Sequence, residues 1–313
     1  MKKYIIIIII LLAFANAVAQ SSTDVGKIAL SVVMPDNVDG LDASQLSKME
    51  TKIIQIVSAT GLATSGYNNN FAIYPKFAIY ETNTVEGGMQ NIIVTTCELS
   101  LFIKQVDNNI MFSTVSKTLK GSGTNKEMAI TNAISKISIN DQQFKVFIEN
   151  GKRKIIAYYE LKCGDIISKS ENLANMQDYE QALGLLMMVP EEVSCYKKVQ
   201  EKSIKIYKDY QNKKCIIQLQ DAKTQLAANN YNDALNTLSQ VDPSTSCFKE
   251  SQMLINNIAT KVSIEEKKKW DFKMDVYNNN VALEKQRIDA VKDIAVSYYK
   301  SKPTTVNYTY LVR

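Results

Sequence analysis

Hydrophobic and polar positions follow two regimes along this chain. Residues 27–34 are apolar and β-branched and stop at Pro35-Asp36, which predicts a strand. Residues 42–59 place Leu46, Met49, Ile53, Ile54 and Val57 at helical spacing and end at Gly61, a usual helix stop. Residues 71–81 read as a second strand, in which Pro75 implies an edge or a bulge. Residues 91–104 alternate with period two. Ile93, Cys97, Leu99, Leu101 and Ile103 share one face; Thr96, Glu98, Ser100 and Lys104 share the other. Asp107-Asn108-Asn109 is a hairpin turn, and residues 110–120 return as a strand. Thr124-Asn125-Lys126-Glu127 fits a capping box that opens a helix carrying Ala129, Ile130, Ala133, Ile134 and Ile137. A further helix over 142–160 carries Phe144, Phe147, Ile148, Ile155 and Tyr158, with Gly151 as a candidate break. The order is β-α-β-β-β-α-α, an α+β domain over 24–160 with an antiparallel-rich sheet and helices on one face.

The second regime, 163–300, is helical. No glycine or proline lies between Pro190 and Pro243, and none again over 244–302. It contains a near-repeat. Tyr179, Ala182, Leu183 and Leu186, followed by Pro190, recur as Tyr231, Ala234, Leu235 and Leu238, followed by Pro243. The offset is constant: 231 − 179 = 52 and 235 − 183 = 52. A fixed period means stacked copies of one supersecondary unit. These residues resemble the second helix of a tetratricopeptide-type hairpin, in which the small alanine lets neighbouring helices approach closely. The period is 52 rather than the standard repeat's, so the helix between hairpins is longer. Val199, Ile206, Tyr210, Ile217, Ala222 and Leu226 form a stripe through it, over about 195–228. A third helix runs from Phe248 past Trp270; Asn278-Asn279-Asn280 interrupts it, and residues 281–299 follow. The resemblance implies an all-α helical-hairpin domain whose curved surface binds protein. Residues 301–313 form an aromatic tail.

The glycines mark the border between the regimes. All eleven lie between Gly26 and Gly184, leaving none in the last 313 − 184 = 129 residues. The order of the first half resembles the periplasmic domain of the CsgG, LpoB and TolB-N group of bacterial envelope proteins. Residues 93–120 with their hairpin, Gly121-Ser122-Gly123 and the helix from Thr124 to Ile137 carry the likeness. It implies an envelope assembly or partner-binding role and carries over no catalytic residue.

Five cysteines are present: Cys97, Cys163, Cys195, Cys215 and Cys247. The last four form matched intervals, 195 − 163 = 32 and 247 − 215 = 32. In stacked hairpins a helix start lies beside the corresponding turn of the next parallel helix. Cys163–Cys195 and Cys215–Cys247 are therefore expected to staple each repeat to its successor. Zinc cysteines come as close pairs two to four residues apart, and none do here. Cys97 falls on the apolar strand face and reads as a buried thiol.

Met1-Lys2-Lys3, an isoleucine-rich apolar run over 4–14 and Ala17-Val18-Ala19 before Gln20 together form a secretory signal peptide over 1–19. The run is about 11 residues, short of the roughly 20 needed to span a bilayer. No later stretch reads as a transmembrane segment. Export agrees with disulfides, which persist in oxidising compartments. The formal charge of +5 falls to 5 − 2 = +3 without Lys2 and Lys3, too little to argue for nucleic acid. Histidine is absent, which excludes Ser–His and Cys–His nucleophile pairs and His-ligated metals.

No catalytic residue, cofactor or metal site is expected. Gly121-Ser122-Gly123-Thr124-Asn125-Lys126 lacks phosphate-loop spacing and reads as a strand-to-helix turn. Glu191-Glu192, Glu265-Glu266 and Lys267-Lys268-Lys269 read as solvated helix faces. The leading expectation is a non-enzymatic periplasmic or secreted protein that binds other envelope proteins as a scaffold. A carboxylate-dependent envelope hydrolase and a surface protein that assembles with copies of itself are the alternatives.

Overall fold

The computed structural model describes residues 27–63, 71–86, 90–260 and 283–301. The expected signal peptide over 1–19, the 267–270 and 278–280 segments and the tail beyond Ser301 lie outside the described residues. The elements are β1 (Leu30–Val32), α1 (Ala43–Ser58), β2 (Phe71–Val85), β3 (Ile92–Gln105), β4 (Met111–Gly123), α2 (Lys126–Ser135) and α3 (Gln142–Asn175). They are followed by α4 (Tyr179–Met187), α5 (Tyr196–Ala227), α6 (Tyr231–Leu238), α7 (Phe248–Ala259) and α8 (Leu283–Ser301). An α+β region thus precedes an all-helical one, as the two hydrophobic periods predict.

The sheet runs β1-β2-β3-β4, with β1 parallel to β2 and the other pairs antiparallel. β1 is shorter than the sequence implies because it meets β2 only at Phe71, Ala72 and Ile73. β2 is longer, because its ladder with β3 continues past a bulge between Ile79 and Glu81 to Val85. Pro75 lies beyond the end of β1, where β2 is an edge strand and a missing N–H costs no ladder bond on that side. Period-two alternation places Cys97, Leu99, Leu101 and Ile103 of β3 on one face, all fully buried. Burying each large apolar side chain is worth about 1.5–3 kcal/mol.

Helices α1, α2 and the first half of α3 cover that face. Asp42 opens α1 with a reciprocal cap: its carboxylate accepts from Gln45 N at 2.8 Å, and Gln45 Oε1 accepts from Asp42 N at 3.0 Å. Gln45 Nε2 then donates to Glu127 O and Thr131 Oγ1, both at 3.0 Å, which fastens α1 to α2. The N-cap of α2 is Asn125 rather than Thr124; its side chain accepts from Met128 N at 2.8 Å. Gly121 and Gly123 end β4 directly beneath α2. A Cβ at Gly121 would meet the backbone of Ala129 and Ala133, so these glycines serve close helix–strand approach.

Gly151 does not break α3. The helix is continuous from Gln142 to Asn175, through 160–163, and Gly151 makes room for Ile103 and Ser113. Its first half lies on the sheet, where Ser113 Oγ donates to Phe147 O at 3.0 Å and Tyr159 packs edge-on against Phe71. Its second half enters the helical region. One hydrophobic core runs without interruption from the sheet to Tyr207 of α5. A second, smaller core joins α5, α6 and α7.

Candidate interaction surface of the helical repeats

The 52-residue offset governs burial as well as residue type. Cys163, Ile167 and Ser170 of α3 are buried, and so are Cys215, Leu219 and Ala222 of α5. Ala182, Leu183, Leu186 and Val189 are buried, and so are Ala234, Leu235, Leu238 and Val241. Val199, Ser203 and Ile206 of α5 are matched by Ser251, Ile255 and Ile258 of α7. Each unit is therefore a half-helix, a short helix and a second half-helix. The middle member, α5, closes the first unit with one half and opens the second with the other.

That double duty explains a departure from the sequence stripe. Ile217 lies on the same face as Val199 by helical spacing, yet it is 56% exposed. The first half of α5 buries Val199, Ser203, Ile206 and Tyr207; the second buries Cys215, Leu219 and Ala222. At 100° per residue these two sets point roughly 140° apart. The buried face changes over residues 208–214, where none is buried.

The turns repeat too. α3 and α5 both end on a non-glycine residue with positive φ, Gln177 at 64° and Asn229 at 60°. Asp178 N donates to Leu173 O, and Asn230 N donates to Gln225 O, each at 2.9 Å. This closes a Schellman-type end in both copies. Tyr179 and Tyr231 begin the short helices and are half-buried. The Tyr179 ring lies 5.5 Å from that of Tyr210, whose hydroxyl donates to Glu180 at 3.0 Å. The Tyr231 hydroxyl donates to Asn229 Oδ1 at 3.0 Å.

The structure joins Cys163 to Cys195 and Cys215 to Cys247, with Cα separations of 6.6 and 6.3 Å. Each bridge ties the residue preceding α5 or α7 to the middle of the preceding long helix. Thr245 Oγ1 donates to Cys215 Sγ at 3.2 Å. Cys97 is a buried thiol, pushed up by burial and so poorly suited as a nucleophile. A polar clasp lies beside each bridge. Glu160 accepts from Ser194 N and Oγ, both at 2.6 Å, and Asn212 accepts from Ser246 N at 2.9 Å. The hydroxyl and amide of Ser194 hold the Glu160 carboxyl below the usual range.

Lys152 of α3 pairs with Glu192, in the turn between α4 and α5, at 3.0 Å, and at the α3–α5 seam Lys202 pairs with Glu171. The Lys202 hydrogen bond, with the charges of Lys202, Lys205 and Lys198, holds Glu171 low. At the α5–α7 seam Lys223 pairs with Glu250 at 2.7 Å.

Helix α8 folds back onto α4 and α5 of the first unit. Val291 and Ala295 are buried there, and Tyr298 sits on Gly184. Between these helices lies a shallow apolar groove lined by Met187, Tyr196, Ser203, Ile204, Ile288 and Val291, whose cavity of about 10 Å³ has room for about one water and not for a small-molecule ligand. At the other end of α8, Arg287 approaches Tyr207, whose hydroxyl bonds to Asp242. Sequence periodicity did not reveal this docking. Its signal is Gly184, a mid-helix glycine where the second unit has Asn236.

No protein-family model matches the chain, and no curated protein matches it. Among solved structures it is similar to a minor lipoprotein from Acinetobacter baumannii, at 12% identity and a TM-score of 0.27. The match covers 41% of this chain and 92% of that one. A TM-score that low gives no shared fold.

Proposed function

We propose that this chain is a non-enzymatic protein of the bacterial envelope that acts outside the cytoplasm as a binding or assembly scaffold for other proteins. The observation that carries this reading is the doubled helical unit with a cysteine bridge in each copy. Disulfides of this kind persist in oxidising compartments. Stacked helical pairs, here on a tetratricopeptide-like plan, present extended surfaces whose usual task is protein binding. The leader-like sequence over 1–19 and the resemblance of the first half to the CsgG, LpoB and TolB-N group support the same reading.

The test is production of the full precursor in a bacterial host, followed by crosslinking in intact cells and native purification from the envelope. A mature chain beginning at Gln20 and a discrete crosslinked partner protein are expected. A mature chain that is monomeric by light scattering and crosslinks to nothing overturns the scaffold role.

A further inference from the structure

The two seams of the repeat differ in charge, and each serves as a control for the other. At the second seam one cation, Lys223, meets one anion, Glu250. By the 52-residue offset, Lys223 stands where the first seam has Glu171, and Glu250 stands where it has Lys198. At the first seam Glu171 pairs instead with Lys202, one turn beyond Lys198 on α5. Lys202 and Lys205, however, correspond to Leu254 and Asn257. The second unit packs α5 on α7 with one ion pair, whereas the α5 helix of the first seam sets three lysines about the single carboxylate of Glu171.

Lys198, Lys202 and Lys205 are spaced i, i+4 and i+7 and share one face of α5. Lys198 and Lys205 are exposed and Lys202 is half-buried in its pair with Glu171. Like charges at this spacing destabilise a helix by a few tenths of a kcal/mol. Glu201 lies one residue before Lys202, but residues 197–208 hold five lysines to that one acid. The row spans about 10 Å at 1.5 Å per residue. Alternate side chains of an extended peptide lie about 7 Å apart on one face, so two acidic side chains reach its length.

We propose that Lys198, Lys202 and Lys205, set against Glu171 at the α3–α5 seam, form the docking site for an acidic segment of a partner polypeptide. This rests on the scaffold reading above and names the chemistry of its partner. The row favours a polypeptide over a membrane. Even with Lys208, 60° round the helix from Lys205, the row holds four lysines, the bottom of the about 4–8 basic residues that hold a protein to anionic lipid, and Glu171 and Glu201 lie among them.

The experiment uses the mature full-length protein and a labelled oligoglutamate peptide, read by fluorescence anisotropy. Lys198→Gln with Lys205→Gln leaves the Lys202–Glu171 pair in place. Lys76→Gln with Lys120→Gln removes equal charge from the exposed positions 76 and 120 of the sheet and is the control. The first variant is expected to bind about tenfold more weakly, the product of two exposed charge pairs. The control should bind as the unmodified protein does, and added salt should weaken both. Equal loss in the two variants, no binding by the unmodified protein, or tighter binding to polygalacturonate or phosphatidylglycerol vesicles overturns the proposal. If the crosslinked partner of the mature chain is retained in full by the Lys198/Lys205 variant, the docking site fails while the scaffold reading stands. If no partner crosslinks to either form, the scaffold reading itself fails.

Discussion

The ring of Tyr298 rests on Gly184, so closely that a Cβ at 184 would stand 2.7 Å from Tyr298 Cδ1. Two helices far apart in sequence meet at a position with no side chain. Position 236, the counterpart in the second unit, is an exposed asparagine. Burial on a second face therefore distinguishes α4 from α6.

Gly184→Val should release α8 without unravelling α4, since valine is the better helix former. Hydrogen exchange would report it: residues 283–301 lose protection while α6 keeps its own. Unchanged protection of α8 in this variant would show that the ring–glycine contact does not hold it.

Two further glycines should respond in opposite directions. At Gly121 an added Cβ runs into the backbone of Ala129, which no side-chain rotation relieves. Gly121→Ala is expected to cost about 1–3 kcal/mol, with α2 lifted from β4. At Gly164, within α3, an added Cβ meets nothing within 4 Å. Gly164→Ala should stabilise by about 0.5–1 kcal/mol. Thermal melts of the two variants on either side of the parent's midpoint would bear this out; shifts in the same direction would not.

The Cys215–Cys247 bridge serves the smaller of the two cores. Replacing both cysteines by alanine should remove about 3–4 kcal/mol of loop-closure stabilisation. The loss should fall on α6 and α7, giving an early transition ahead of the main one in calorimetry. A single, uniformly lowered transition would mean that the two cores unfold together.

At alkaline pH the protein should lose stability through its buried tyrosines. Burial first, then the Asp242 charge and hydrogen bond, push Tyr207 from 10.0 up to about 12, against an opposing pull from Arg287. Burial pushes Tyr159 up as well. A raised pKa means the folded chain holds the proton more tightly than the unfolded one. The stabilisation is therefore complete below pH 10 and is lost as pH rises through 12. Urea midpoints should be level up to about pH 10 and fall beyond it. In Tyr207→Phe the fall should be shallower; an identical slope would assign it elsewhere.

Much of the fold was legible where local chemistry decides the outcome. The period-two alternation of β3 and the Asp107-Asn108-Asn109 turn each name their element without outside help. Gly151 misled because glycine has two uses, and the choice depends on Ile103, some fifty residues earlier in the chain. The Ile217 stripe misled because periodicity records one face, whereas α5 buries two in succession. The docking of α8 on α4 left only Gly184 as a trace, since an amphipathic helix does not record which surface it will cover. The candidate docking row shows the same limit. Three spaced lysines are visible in the chain, but their excess appears only beside the second seam, which packs with one ion pair.

The change of buried face within α5 makes its length a setting for orientation. Deleting one residue from 208–214 would swing the second unit by about 100° around the shared axis, while inserting a full turn would slide it outward by about 5.4 Å with little rotation. The pitch of this short array is thus stored as a residue count inside a rigid beam, not in a hinge between its units.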